Sequence, residues 1–118
     1  LMCASVYYLD VAQEFIPHYI ELMNDDPKKT EPMYDTNAKL IFDKELFVGH
    51  EAVCEKIQSI GKLDKQRFCG QPYGEKGDIL VFTELKSNQQ EYVTTFVLHE
   101  IDTQKHRFAI ILQIVHSS

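Results

Sequence analysis

A chain of 118 residues, 44% hydrophobic and 25% charged, is long enough to close one core and too apolar to stay unfolded, so a single domain over 1–118 is expected. Its 18 Asp and Glu against 12 Lys and Arg give a formal charge of −6, which disfavours phosphate backbones. The short basic clusters Lys62, Lys65, Arg67 and Lys105, His106, Arg107 lack the aromatic interleaving of single-strand platforms, so no nucleic-acid partner is expected.

Val11, Ala12, Phe15, Ile16, Tyr19, Leu22 and Met23 recur at three- and four-residue spacing, with Gln13, Glu14, His18 and Glu21 between them. That pattern predicts an amphipathic helix from about Val6 to Asn24. Pro17 lies inside it and removes a backbone donor at a cost of ~3 kcal/mol or more, so a bend or two abutting helices are expected there. Asn24-Asp25-Asp26-Pro27 ends the element, and Pro27 to Tyr34 reads as a short irregular helix begun by Pro27 and disturbed by Pro32. Ala38 to Phe42 and Leu46 to Val48 read as two short strands around the turn Asp43-Lys44-Glu45. From His50, the residues Ala52, Val53, Cys54, Ile57 and Ile60 predict a third helix, closed by Gly61 in the left-handed conformation.

The remainder reads as sheet. Lys62 to Pro72 is expected to be an irregular strand and Gly74 to Asp78 a turn. Ile79 to Lys86, Glu91 to Ile101 and Arg107 to His116 follow as longer strands joined by hairpins. The class is α+β, with helices on one side of a curved antiparallel sheet. In the last strand both alternating sets are apolar: Phe108, Ile110, Leu112 and Ile114 in one, Ala109, Ile111 and Val115 in the other. A strand apolar on both sides is covered on both, and three modest helices cover one. A second copy of the chain is the economical cover for the other, with Thr95, Val97, Ile111 and Val115 as expected contacts.

Other chemistry is sparse. Cys3, Cys54 and Cys69 are odd in number and contain no Cys-x-x-Cys, which argues against a disulfide framework or zinc knuckle and for a reducing compartment, with Cys54 a small buried residue. His18, His50, His99, His106 and His116 are scattered without metal-ligand spacing, GQPYGEKGD is not a phosphate loop, and no Gly-x-Ser-x-Gly occurs. No metal or cofactor is expected. The opening LMCASVYYLD has no basic start or cleavage site and no run approaches ~20 apolar residues, so neither a signal peptide nor a membrane span is expected.

The segment FIPHYIELMNDDPKKTEPMYDTNAKLIFDKELFVGHEAVCEKIQSI carries further landmarks: Phe15 and Tyr19 in the first helix, Tyr34 closing the second, Phe42-Asp43 ending the first strand, and Phe47-Val48-Gly49 before the third helix. On these it resembles the nuclear transport factor 2 family, and the likeness continues at Gln71-Pro72 and Thr95 to Leu98. The C-terminus departs, with Gln113-Ile114-Val115-His116 where transport members carry an acidic residue, a hydrophobic pair and an Arg. The resemblance implies a cone-shaped sheet on three helices, a homodimer, no catalysis, and carriage of GDP-bound Ran together with binding of Phe-Gly nucleoporins in cytoplasm, nucleus and nuclear envelope. The same family holds partners of messenger-RNA export receptors, stress-granule domains, and isomerases and ligand-binding proteins related to ketosteroid isomerase, so fold alone does not fix function.

By the resemblance, Phe42 and Asp43 match an aromatic and acidic pair at the rim of an apolar cavity that receives a basic partner. The hairpin residues Asn88 and Gln90 stand where transport members carry acids, keeping hydrogen bonding without charge. An isomerase would instead use Asp43 as general base and Tyr19 as donor to an enolate oxygen, plus a second donor that has no evident candidate. The residues themselves leave Asp43 equally readable as turn chemistry, and Tyr19 as a core residue with its hydroxyl satisfied.

Overall fold

The computed structural model describes residues 2–74, 77–105 and 107–118, and side chains from residue 7 onward except those of 65 and 66. The side chains of Cys3 and Lys65, together with Glu75, Lys76 and His106, therefore lie outside what is described, as does the middle of the turn expected over 74–78.

Helix α1 (Met2–Asp25) passes through Pro17 as one element, not two. Pro17 is exposed, so water can take up the carbonyl its missing N–H leaves free. A 3-10 helix follows (Pro27–Met33), with Pro27 in its first turn and Asp26 as N-cap, its side chain accepting from the Lys28 amide at 3.1 Å. Then come β1 (Tyr34–Phe42), β2 (Glu45–Val48), α2 (His50–Gln58), β3 (Asp64–Tyr73), β4 (Asp78–Ser87), β5 (Gln90–Asp102) and β6 (Arg107–Ser117). Gly61, after α2, has φ +89°, the left-handed end expected of it.

The sheet order is β2-β1-β6-β5-β4-β3. Strands β3 to β6 form the expected antiparallel meander, and β1–β2 is an antiparallel hairpin. The expectation of a wholly antiparallel sheet needs correction, because β1 runs parallel to β6. The reason is connectivity: α2 and the meander lie between β1 and β6 in sequence, and a connection of that length permits parallel pairing.

The core fills the inner side of the sheet under α1 and α2, where Ile16, Tyr19, Met23, Leu40, Val53, Ile57, Val81, Phe96, Leu98 and Ile110 are all essentially inaccessible. Helix α1 lies so close to β3 that a Cβ on Gly70 would meet the Tyr8 carbonyl oxygen at 2.2 Å. Glycine is needed there for close approach of backbones. The Asn24 side chain joins the end of α1 to the residue before β3, donating to the Leu63 carbonyl at 2.9 Å and accepting from its amide at 2.7 Å.

One irregularity decides which side chains face outward. Val97 pairs with Leu112 but Leu98 pairs with Ile110, so Ile111 is the extra residue of a β-bulge, and the alternation of β6 switches there. Gln113 and Val115 thus join Phe108 and Ile110 on the inner side, opposite Phe96 and Thr94. Val115, expected at a dimer contact, is instead a core residue at 1% exposure. Leu112 and Ile114 take the outer side with their partners Val97 and Thr95.

Candidate functional site

The turn between β1 and β2 is two residues, Asp43 and Lys44, since Phe42 pairs with Glu45. Asp43 has φ 55°, a conformation that Asp tolerates better than most L-residues. Its amide donates to the Val115 carbonyl at 2.8 Å. Its carboxylate accepts from the Ser117 amide at 2.9 Å and the Ser117 hydroxyl at 2.8 Å, with His116 Nδ1 3.6 Å away. The Ser117 amide, then its hydroxyl, hold the Asp43 carboxyl below the usual range, with His116 and Lys56 adding to the effect.

Beside it, Phe42 is half-buried against Tyr92, ring centroids 6.1 Å apart. The Lys56 ammonium lies over Phe42 at 4.7 Å and over Phe47 at 5.7 Å, a cation–π arrangement that holds α2 to this hairpin. The second expected patch is the β4–β5 hairpin, whose turn residues Asn88 and Gln89 have φ 51° and 72°. Both being positive fits a type I′ turn. Gln90 donates to the Ser118 carbonyl at 2.7 Å, and the Ser118 amide donates to the Glu91 carbonyl at 3.0 Å. The structure therefore joins Asp43 and Gln90 through one intermediary, the C-terminal end of β6. Asn88 stays exposed at the hairpin tip.

Tyr19 does not meet Asp43. Its hydroxyl is 2.7 Å from that of Tyr34, which donates to Gln113 Oε1 at 2.5 Å, and Gln113 Nε2 donates to Thr94 Oγ1 at 3.2 Å. All four groups are buried, and burial pushes both tyrosine hydroxyls well above their ordinary pKa. Beside this chain the interior of the cone holds a cavity of only about 10 Å³, closed by Ile57, Ile60, Leu63 and Tyr92. That is room for about one water, not for a substrate. Sequence reasoning missed Gln113 and Thr94, because a polar residue within an apolar strand reads as outward-facing until the bulge is known.

The histidine reading also changes. The donor atoms of Glu31, His50 and Glu51 lie within 4.8 Å of one another, with His50 Nδ1 3.0 Å from Glu31 Oε2. This imidazole and two carboxylates, from two elements, have donors of the kind a divalent ion takes. Spacing along a single helix could not disclose them. Cys54 is buried as expected, its thiol 3.6 Å from the Pro27 carbonyl.

Outside the helix-covered side, the sheet presents Leu46, Val48, Ile101, Ile114 and Tyr73 at 39–60% exposure. Thr95 is half-buried and Val97 3% exposed on the same side, while Ile111 sits half-buried at the bulge.

A six-stranded curved mixed sheet with helices on one side, a tyrosine network at its heart and a rim of Phe42 and Asp43 define an α+β cone. The family model for the nuclear transport factor 2 (NTF2) domain matches residues 11–104, and the chain belongs to that family. It is 26% identical over 116 residues to nuclear transport factor 2 of Davidiella tassiana, covering 90% of this chain and 93% of that protein. Similar solved structures include nuclear transport factor 2 of Cryptosporidium parvum, at TM-score 0.75, 15% identity and 94% coverage of both chains. Another is the C. albicans Mtr2–Mex67 M domain complex, at TM-score 0.74, 10% identity and coverage of 93% and 94%. At these identities the two structures establish the fold, which hosts both enzymes and non-enzymes.

Proposed function

We propose that this chain is a non-enzymatic, homodimeric protein-binding adaptor of nucleocytoplasmic transport, working in cytoplasm and nucleus and at the nuclear envelope. One observation carries the reading: the polar groups that could act on a substrate are bonded to one another beside a cavity of about 10 Å³. Preformed substrate sites are ordinarily some hundreds of Å³. A closed interior of this kind supports recognition by surfaces, and the name of the Davidiella tassiana relative supports transport.

In this reading Phe42, Asp43, Asn88 and Gln90 form the partner rim, with GDP-bound Ran and Phe-Gly nucleoporin segments as the first candidates. Asp43 keeps its charge and a side chain 42% exposed, so a basic partner side chain can still approach it. The outer sheet face, with Thr95, Val97 and Leu112, is the proposed dimer contact. The likeness to the Mtr2–Mex67 complex favours an export-receptor partner as the second reading.

The test is purified Ran, loaded with GDP or GTP, titrated against the chain and against Asp43→Lys, with sedimentation velocity alongside. Binding of the GDP form alone, lost in Asp43→Lys with the dimer intact, is the expected result. Failure of both nucleotide forms to bind would remove Ran and leave the export-receptor reading, which co-expression with such a receptor's middle domain decides.

A further inference from the structure

Away from the rim, the junction of the 3-10 helix with α2 gathers metal-ligand side chains from both elements. Glu31 comes from the 3-10 helix, and His50 and Glu51 open α2. One donor atom of each lies within 4.8 Å of the other two, and His50 Nδ1 stands 3.0 Å from Glu31 Oε2. Among the described residues no other His, Cys, Asp and Glu side chains form a group of three this close. The pairs His99–Asp78 and His116–Asp43 each offer a single carboxylate.

We propose that Glu31, His50 and Glu51 bind one divalent transition ion per chain, of the kind zinc represents. The donor set chooses the ion. Magnesium and calcium take oxygen ligands throughout, whereas an imidazole joined to carboxylates suits zinc, cobalt or nickel. Geometry agrees with that choice. Two ligand atoms on a tetrahedral zinc with bonds of about 2.0–2.1 Å lie roughly 3.3 Å apart, close to the Nδ1–Oε2 separation already present. With the ring proton on Nε2, the lone pair of Nδ1 faces the space in front of the Glu31 carboxylate. Glu51 is exposed, so its side chain can turn to become the third ligand, and water takes the fourth position.

The backbones that carry these ligands are fixed to one another. Cys54 Sγ of α2 donates to the Pro27 carbonyl of the 3-10 helix at 3.6 Å, and Thr30 Oγ1 donates to the same oxygen at 2.7 Å. The Tyr34 amide donates to the Glu31 carbonyl. The Gly49 amide, just before His50, donates to the Ala38 carbonyl of β1 at 2.8 Å. The site is therefore largely organised before an ion arrives, which lowers the cost of closing it. The His50 and Glu31 side chains are 33% and 39% exposed, open to an entering ion yet less screened than groups fully in water. Two carboxylates outweigh the partial positive charge of about half a unit at the start of α2, in a chain whose formal charge is −6.

An ion held here joins the 3-10 helix to α2 and stabilises the folded chain by mass action. It lies beyond the end of β2 away from the Asp43 turn and depends on neither Ran, nucleoporins nor dimerisation, so it fails or stands independently of the proposed function.

Calorimetric titration of zinc chloride into the untagged chain tests it. One zinc per chain is expected, with a melting temperature that rises with zinc concentration. Removing a hydrogen-bond partner of a ligand alone costs about 10–100-fold in metal affinity, so losing a ligand in His50→Ala or Glu31→Gln should weaken binding by at least about tenfold. Glu51→Gln, at an exposed position, should do the same and supplies the readout if either of the others loses the parent circular dichroism. His99→Ala, His116→Ala and Asp43→Lys should leave zinc affinity unchanged, and about a hundredfold excess of magnesium should not displace the ion. The cobalt-loaded chain should lack the near-ultraviolet charge-transfer band of a thiolate ligand. No binding, undiminished affinity in His50→Ala and Glu51→Gln, or half a zinc per chain overturns the proposal. So does a thiolate band, which would assign the ion to a cysteine such as the exposed Cys69.

Discussion

Asp43 holds Ser117. Both carboxylate oxygens accept from that one residue, at 2.9 Å from its amide and 2.8 Å from its hydroxyl, while Gln90 takes the Ser118 carbonyl from the other side. The end of β6 is thus fastened to both hairpins of the rim. Replacing Asp43 separates conformation from fastening. Asparagine tolerates φ 55° and offers an acceptor to the amide and a donor to the hydroxyl, so Asp43→Asn should leave Ser117 amide protection from hydrogen exchange nearly unchanged. Asp43→Gly keeps the backbone and loses both bonds, and Ser117 should exchange faster by several-fold. Asp43→Ala loses both and also strains the turn, so its melting temperature should fall below that of Asp43→Gly. Equal behaviour of Gly and Asn would sink the fastening role.

The same contact sets a pH dependence. The folded-state pKa of Asp43 is depressed, so its contribution is present above the unfolded value of about 3.9 and is lost as pH falls through the folded value. Carbon-detected NMR of Asp43 should give a midpoint below about 3.9, and the Ser117 amide shift should follow the same curve. A midpoint at or above that value would contradict the contact.

The tyrosine pair makes the opposite prediction at high pH. Burial raises both hydroxyls above their ordinary pKa of 10.0, so their contribution is whole below about 10 and lost as pH rises, because the unfolded chain ionises first. Tyr19 and Tyr34 should ionise only with global unfolding, read as a cooperative step in phenolate absorbance. Their removal is unequal. Tyr19 bonds Tyr34, whereas Tyr34 bonds both Tyr19 and Gln113. Tyr34→Phe therefore leaves two buried groups short of a partner at ~1–3 kcal/mol each, and Tyr19→Phe leaves one. Urea melts should rank Tyr34→Phe as the more damaging. The reverse order would mean that the network is not shared as drawn.

Most of the fold was legible because its signals are local. The period of Val11 to Met23, the hairpin signals and Gly61 each specify their element without help from the rest of the chain. What escaped depends on pairing. The parallel β1–β6 contact is set by a long connection, and the bulge at Ile111 is visible only against Val97 and Leu98. That bulge moved Val115 inward and made Gln113 a core hydrogen-bonding residue. The rim was half legible: Phe42 and Asp43 were singled out, but Ser117 and Lys56, which hold them, lie 74 and 13 residues away from Asp43 and carry no local mark.

The β4–β5 turn stores strain that a single change should relieve. Asn88 suits the first position of a type I′ turn, but Gln89 at φ 72° occupies the place where glycine is favoured. A side chain held left-handed costs ~1–2 kcal/mol, partly offset by glycine's larger loss of freedom on folding. Gln89→Gly should raise stability by about 0.5–1 kcal/mol by thermal melt, whereas Asn88→Val should lower it. A destabilised Gln89→Gly would mean that the Gln89 side chain makes a contact worth more than the strain.

Neighbouring residues of β6 separate the core from the proposed dimer face. Ile114 is 39% exposed and Val115 1% exposed, and they point to opposite sides of the sheet. Val115→Ala removes two buried methyl groups, at ~0.8 kcal/mol each plus the penalty of the space left behind, so a loss of about 2 kcal/mol is expected with self-association unchanged in character. Ile114→Arg adds a charge to the apolar outer face beside Thr95, where a single chain tolerates it and a symmetric pair brings two copies close together. Sedimentation velocity at micromolar concentration should show Ile114→Arg shifted to monomer, with the circular dichroism of the parent fold retained. An unshifted Ile114→Arg dimer would place the contact elsewhere, and a parent chain already monomeric at that concentration would remove the outer face as an interface between copies.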